Sequence, residues 1–513
     1  MEGRWRWPAI AAVMLMLLTV PPIAIAAVRT PPLAVFSGYV VVARDAYVYQ
    51  ALWRQGWHGA WLFHSPYSAE WLPGILLYPW YLWPAHILGW IPGPWLYHVE
   101  RLAAAAALLT ALWLLTAELF RPRLIRRWAM VLCSLGGGIG VLLPQLTLGP
   151  LVFRASEMQS PGSSVADLVA MAPHLPWAMA LMCWAFVVGL RLRRRLLFSE
   201  LISGWLAVIG LQLVYPQLAL LAVGVLGGWA LINSERRALR YAAASGALQL
   251  PYLGYLWWTW RITPDTFSVV RTSLDVGDPV GFLVLSHLGA SALIVVALWR
   301  RRLRGDLLLP ALWIAGMTLF MFAPGLSRTL GRSFMASSIP FGLCATPGLL
   351  SLLRGIRAMP WRRRVAAFAL GVSSLYGVFS LAQPYWIGAL RLDSRAEYES
   401  RAEALILQRL QPLVSARDVV LTTYLDGIFV PAQTDARAFA GHPEMTIDAA
   451  RKAAEANAFF SSWTEAQRIT FLRANHIDYV LAPDAAASAR LQADPSLRRV
   501  DQTAGLALFM VRP

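Results

Sequence analysis

Apolar runs long enough to cross a bilayer follow one another almost to residue 381, separated by short arginine-bearing turns, and then give way to short alternating stretches. A hydrocarbon core of ~30 Å needs about 20 apolar residues per helix. On that basis residues 8–28, 97–120, 128–149, 175–190, 197–214, 216–232, 241–260, 280–299, 307–323, 334–353 and 365–381 read as spans, eleven give or take one. Ala24-Ile25-Ala26 has the look of a signal-peptidase site, but ahead of so many spans the first run reads as an uncleaved signal anchor with its amino end inside. Arginine clusters near residues 4–6, 121–127, 191–195, 236–240, 300–304 and 354–364 fall on every second loop. Basic residues concentrate in short cytoplasmic loops, so these six loops are assigned inside. Clusters at both Arg195 and Arg237 require a fold-back between them, which Pro216 supplies.

Residues 383–513 lack such runs and read as a separate extracytoplasmic α/β domain on the side opposite the arginine clusters. Helices are expected at 395–410, 449–460 and 464–474, and strands at 419–423, 477–481 and 507–511. The expected fold class is an all-α polytopic membrane domain, residues 1–382, followed by this small α/β domain.

Composition agrees with a membrane chain: 58% apolar, 14% charged, mean hydropathy +0.52. The net charge of +17 does not point to nucleic acid, because residues before 383 carry 31 basic and 13 acidic groups while the tail carries 14 and 15. Cys133, Cys183 and Cys344 each sit in an apolar run and build neither a disulfide framework nor a thiolate metal site. No glycine-rich phosphate loop or internal repeat appears.

The loop over residues 29–96 is the longest in the membrane part, and loops of that length are usually functional or disordered. Fifteen aromatic residues between Asp45 and Tyr97 argue against disorder. An interfacial belt explains most single rings, and stacking on a sugar or lipid explains a few. Residues 45–56 read as a helix lying on the membrane with Tyr49, Leu52, Trp53 and Trp57 on one face, and Asp45 at its start. That carboxylate either caps the helix or acts as a base. Glu70 brings a second carboxylate into the loop, and residues 71–90, broken by three prolines, read as a re-entrant or interfacial segment.

An anchor helix, Asp45 and Tyr49 in a D-x-x-x-Y pattern, residues 55–70 as Q-x-x-x-G-x-W-L-F-x-x-x-Y-x-x-E, and an aromatic stretch ending in Gly-Trp-Ile-Pro stand in order along this loop. The arrangement resembles the first periplasmic loop of the C-type (GT-C) glycosyltransferase superfamily, which includes protein O-mannosyltransferases and bacterial lipid A modifying enzymes. The resemblance is specific from Asp45 to Glu70 and general elsewhere. It implies a many-helix membrane fold of the bacterial inner membrane, a catalytic carboxylate in this loop, and a polyprenyl-phosphate-linked sugar as donor. Transfer of hexose or pentose with inversion, in cell-envelope assembly, is implied with it. The chain departs from the pattern where the superfamily carries an Asp-Glu pair: Asp45 is flanked by Arg44 and Ala46.

Such a transfer needs a base for the acceptor hydroxyl and positive charge for the departing phosphate. Asp45 and Glu70 are the candidate catalytic carboxylates, and Arg328 and Arg332, four apart in an outer loop, are the candidate donor-phosphate ligands. Ordinary headgroup contact is the plainer reading of those arginines. Tyr49, His64, Tyr67, Glu157, His174 and His442 are candidate substrate contacts. His442 stands in Ala440-Gly441-His442-Pro443-Glu444, which is similar to a Gly-His motif of uncharacterised GT-C subfamilies and has no derivable role. No motif demands a cofactor or metal; a hard divalent cation on Asp and Glu oxygens stays open, since no clustered ligand spacing is visible. The expected partners are the lipid-linked sugar and membrane lipid. The alternative functions are a transporter or flippase for a lipid-linked or small polar solute, and a non-catalytic envelope-assembly protein.

Overall fold

The computed structural model describes residues 6–138, 145–148, 151–154, 162–194, 197–263, 286–322, 334–382 and 395–512. The chain is mostly helical, with a small sheet in the C-terminal region. Four helices are long and apolar enough to cross a membrane: Ala9–Val28, Gly93–Leu119, His174–Arg191 and Met359–Leu381. Phe198–Val214, Pro216–Ile232 and Leu288–Trp299 are apolar but shorter.

Two compact units emerge, and the sequence boundary at residue 383 does not separate them. The first comprises Met1–Pro22, His98–Gly254 and Ser273–Gly388; the second comprises Ile23–Tyr97, Tyr255–Thr272 and Ala389–Pro513. The long loop therefore groups with the tail.

In the first unit, Tyr215 is extended between Phe198–Val214 and Pro216–Ile232, and Pro216 opens the second helix, where a missing N–H costs nothing. The run at 128–149 is not one helix. Arg123–Leu135 stops at Gly136-Gly137-Gly138, whose backbone entropy opposes continuation, and Gln145–Leu148 pairs with Leu151–Arg154 as an antiparallel hairpin. Arg191 bonds Glu118 at 2.8 Å and Glu200 at 3.0 Å, while Arg193 bonds Glu235 at 2.8 Å and also Asp306. These ion pairs gather the polar ends of five helices. At the start of His174–Arg191, His174 Nε2 lies 2.8 Å from the Tyr215 hydroxyl, and at the start of the helix Ser338–Gly355, the Ser338 N–H donates to the Ser163 carbonyl at 3.0 Å.

The second unit begins with β1 (Ala34–Phe36), α1 (Ala43–Trp57) and α2 (Pro79–Leu88) from the loop. In α1 the face carrying Tyr47, Val48, Ala51, Leu52 and Trp53 is buried. Tyr47 meets the Phe429 ring edge-on at 4.9 Å, Trp53 meets Tyr81 of α2 at 5.5 Å, and Tyr49 stacks on Tyr81 at 4.4 Å. Leu52 alone, fully buried, contributes about 1.5–3 kcal/mol. The apolar face expected to lie on lipid is instead packed into protein, with Trp57 left exposed, because the tail supplies partners that periodicity alone does not reveal.

The tail contributes β2 (Tyr398–Ser400), α3 (Arg401–Leu410), β3 (Val419–Leu421), β4 (Arg437–Ala438), α4 (Ala449–Ser461), α5 (Glu465–Ala474), β5 (Tyr479–Leu481), α6 (Ala485–Gln492), β6 (Leu497–Thr503) and β7 (Leu506–Val511). The sheet runs β4-β3-β5-β7-β6, parallel between β4, β3 and β5 and antiparallel between β5, β7 and β6. β3 and β5 are apolar and fully buried, as central strands require. β1 pairs antiparallel with β2, so the loop and tail share a ladder.

Behind that ladder Glu399 is buried, accepting a hydrogen bond from Gln433 Nε2 at 2.5 Å, close to Glu403, Asp426 and the Arg395 that bridges the latter two. Burial pushes the Glu399 carboxyl up to about 7 from an ordinary 4.5. Between those values Glu399 keeps a proton in the folded chain that it has released in the unfolded one, so its contribution to stability falls as pH rises from 4.5 to 7 and levels off above. The Glu399 share is at most about 3 kcal/mol. Denaturant unfolding of Glu399→Gln between pH 5 and 8 should show a visibly shallower decline than the wild type, and an unchanged decline would contradict this assignment.

Candidate functional site

Asp45 lies in the first turn of α1, where the helix dipole favours a carboxylate. Its Oδ1 is 3.1 Å from His442 Nε2. The two differ in access: the Asp45 side chain is 46% exposed and the imidazole 4%. Glu444 N–H donates to His442 Nδ1 at 3.2 Å. A nitrogen that accepts there carries no proton, so in the neutral ring Nε2 holds the hydrogen and donates it to Asp45.

The loop bearing His442 is fixed from several directions. Thr446 Oγ1 accepts from the Gly441 and His442 N–H groups, both at 3.2 Å, and donates to the Tyr67 carbonyl at 2.8 Å. Ser65 Oγ donates to the Met445 carbonyl at 2.9 Å, and the buried Tyr67 hydroxyl to the Ile428 carbonyl at 3.1 Å. Gly441 is required by space: a Cβ there would lie 2.5 Å from the carbonyl carbon of Gly427. The glycine of the Gly-His motif thus lets two backbones cross where the histidine is presented.

Glu70 is held elsewhere in the same unit. Its Oε2 accepts from Lys452 Nζ and from Ser68 Oγ, each at 2.5 Å, and Ser68 Oγ lies 3.2 Å from the same ammonium. Lys452 comes from α4, is completely buried, and sits 5.2 Å from the centre of the Phe439 ring. Burial acts to raise the Glu70 carboxyl, but hydrogen bonds from Lys452 and Ser68 outweigh it and hold the group below its usual range; burial lowers Lys452. The geometry is that of a clamp between loop and tail.

Of the other sequence candidates, Tyr67 is within 6.0 Å of the His442 ring, while His64 binds the Leu72 carbonyl through Nδ1 at 3.2 Å and leans on Trp71. Tyr49 is engaged with Tyr81, and His174 belongs to the first unit. Arg328, Arg332 and Glu157 lie outside the described residues. Among the described residues no group of three or more His, Cys, Asp or Glu side chains could hold a metal ion.

Lys452 escaped sequence reasoning although a signal was there: it is the only lysine in a chain whose Lys and Arg total 45. Against known proteins, no family model matches the chain and no curated sequence matches it.

Proposed function

We propose that the chain is a multi-pass membrane glycosyltransferase that moves a sugar from a polyprenyl-phosphate donor to an acceptor on the outer face of the membrane. The observation that carries this reading is the Asp45–His442 pair: an open carboxylate steered from behind by a buried imidazole of fixed tautomer. In the proposed step the acceptor hydroxyl gives its proton to Asp45 and bonds to the sugar's anomeric carbon. The bond from that carbon to the phosphate oxygen breaks, and polyprenyl phosphate leaves with the electron pair. His442 keeps the carboxylate oriented. Arg328 and Arg332 are the proposed phosphate ligands.

Eleven spans, with the amino end inside and the tail outside the inner membrane of a bacterial cell, belong to the same proposal. The gathering of Arg191, Arg193, Glu118, Glu200, Glu235 and Asp306 in one cluster supports it, since all lie in or beside loops assigned to one side by charge.

A test supplies purified full-length protein, reconstituted in vesicles, with short-chain polyprenyl-phosphate hexose and pentose donors and a membrane extract as acceptor. Release of free polyprenyl phosphate coupled to sugar transfer is expected. Movement of intact donor across the bilayer without cleavage would favour a flippase and overturn the proposal.

A further inference from the structure

A second polar feature of the loop-and-tail unit lies further along α1. Arg54 and His58, in the last turn and just beyond it, stand nine and thirteen residues after Asp45, about 13 and 20 Å along the axis at 1.5 Å per residue. They line an open cleft of about 170 Å³, close to the size of one hexose ring, together with Trp71, Asp435 and Arg437.

The charges in this cleft are unequal. Among the described residues Asp435 is its sole lining carboxylate, and both oxygens are taken: Oδ1 by Arg54 at 2.9 Å and His58 at 3.0 Å, Oδ2 by Gln411 at 3.1 Å. Arg437 donates to the carbonyls of Ala69 at 2.5 Å and Arg417 at 2.8 Å, and pairs with no carboxylate within 4 Å among the described residues. Two guanidinium groups thus share one lining carboxylate, and Arg437 feels Glu70, Asp418 and Asp478 without an ion pair to any of them, which leaves the cleft complementary to an anion. Alanines and prolines make up most of its remaining wall, with Gln55, His64, Ser65 and Thr434 among them, and the Trp71 ring, 53% exposed, backs onto Arg437 at 5.2 Å from the ring centre. An indole beside fixed cations suits a ligand with an apolar face and a negative group.

We propose that this cleft is a binding site for one anionic sugar unit, with the C–H face of the ring on Trp71 and its carboxylate or phosphate toward Arg54, His58 and Arg437. The site does not depend on the transferase reading.

The test is calorimetric titration of the full-length protein in detergent, without donor, using glucuronic acid, glucose 6-phosphate, glucose and inorganic phosphate. Binding of one or both anionic sugars at least tenfold tighter than glucose and than phosphate is expected, and which of the two binds identifies the anion. Equal binding of glucose would overturn the charge argument, equal binding of phosphate the sugar argument, and no binding the site itself. Arg54→Gln and Trp71→Ala should each weaken the preferred sugar tenfold or more, with Arg451→Gln on the surface as control. Thermal unfolding of each variant separates lost binding from lost fold, and Arg54→Lys, which keeps the charge, should retain more affinity than Arg54→Gln. Undiminished affinity in folded Arg54→Gln and Trp71→Ala would overturn the proposal.

Discussion

Sugar transfer by Asp45→Asn is expected to fall about 10² to 10⁴-fold, the usual range for loss of a general base, with the thermal unfolding profile almost unchanged. Asparagine keeps the size and can still accept from His442 Nε2, so the imidazole and its loop have no reason to move. What disappears is the proton acceptor. His442→Gln should cost less and act through kcat more than KM, because the imidazole steers the carboxylate and does not itself meet the acceptor. The pH dependence of kcat/KM should keep its shape in His442→Gln, since the ring only positions Asp45. Near-normal transfer by Asp45→Asn would remove this carboxylate from the chemistry.

Glu70 should behave differently, and the difference lies in folding. Glu70→Gln leaves the Lys452 ammonium completely buried against neutral partners, the Ser68 hydroxyl and the new amide oxygen. Breaking a buried ion pair by removing one partner costs about 3–5 kcal/mol; the 43% exposure of Glu70 admits water and lowers that to roughly 2–3. Lys452→Met in the same background removes the stranded charge and should recover most of the loss, which a double-mutant cycle by denaturant unfolding measures. A Glu70→Gln protein of normal stability but without turnover would give Glu70 a chemical role instead.

The apolar runs made it legible that the chain holds helices long and apolar enough to cross a membrane, because bilayer thickness acts on local sequence. The fold-back at Pro216 followed from the arginine spacing. Where the chain breaks its own pattern the reading failed: the glycines at 136–138 end a helix inside an apolar run, and β6, an edge strand carrying Arg498 and Arg499 outward, has no apolar alternation to announce it. The site was legible only in pieces. Asp45, Glu70 and His442 stood out as residues, but Asp45 meets His442 across 397 positions and Glu70 meets Lys452 across 382. Pairings of that separation are made by tertiary packing, and no single sequence displays them. The burial of α1 against the tail was hidden for the same reason.

Everything proposed for catalysis requires the Asp45 unit to face outward, and sided labelling reads that directly. Ser461, exposed in the same unit as Asp45, and Ser199, exposed beside the arginine cluster at 191–195, are each replaced by cysteine in intact cells. The three native cysteines are buried and should stay silent toward an impermeant maleimide. Ser461→Cys is predicted to label in intact cells and Ser199→Cys only after permeabilisation; the reverse pattern, or labelling of both from outside, would contradict an outward-facing site.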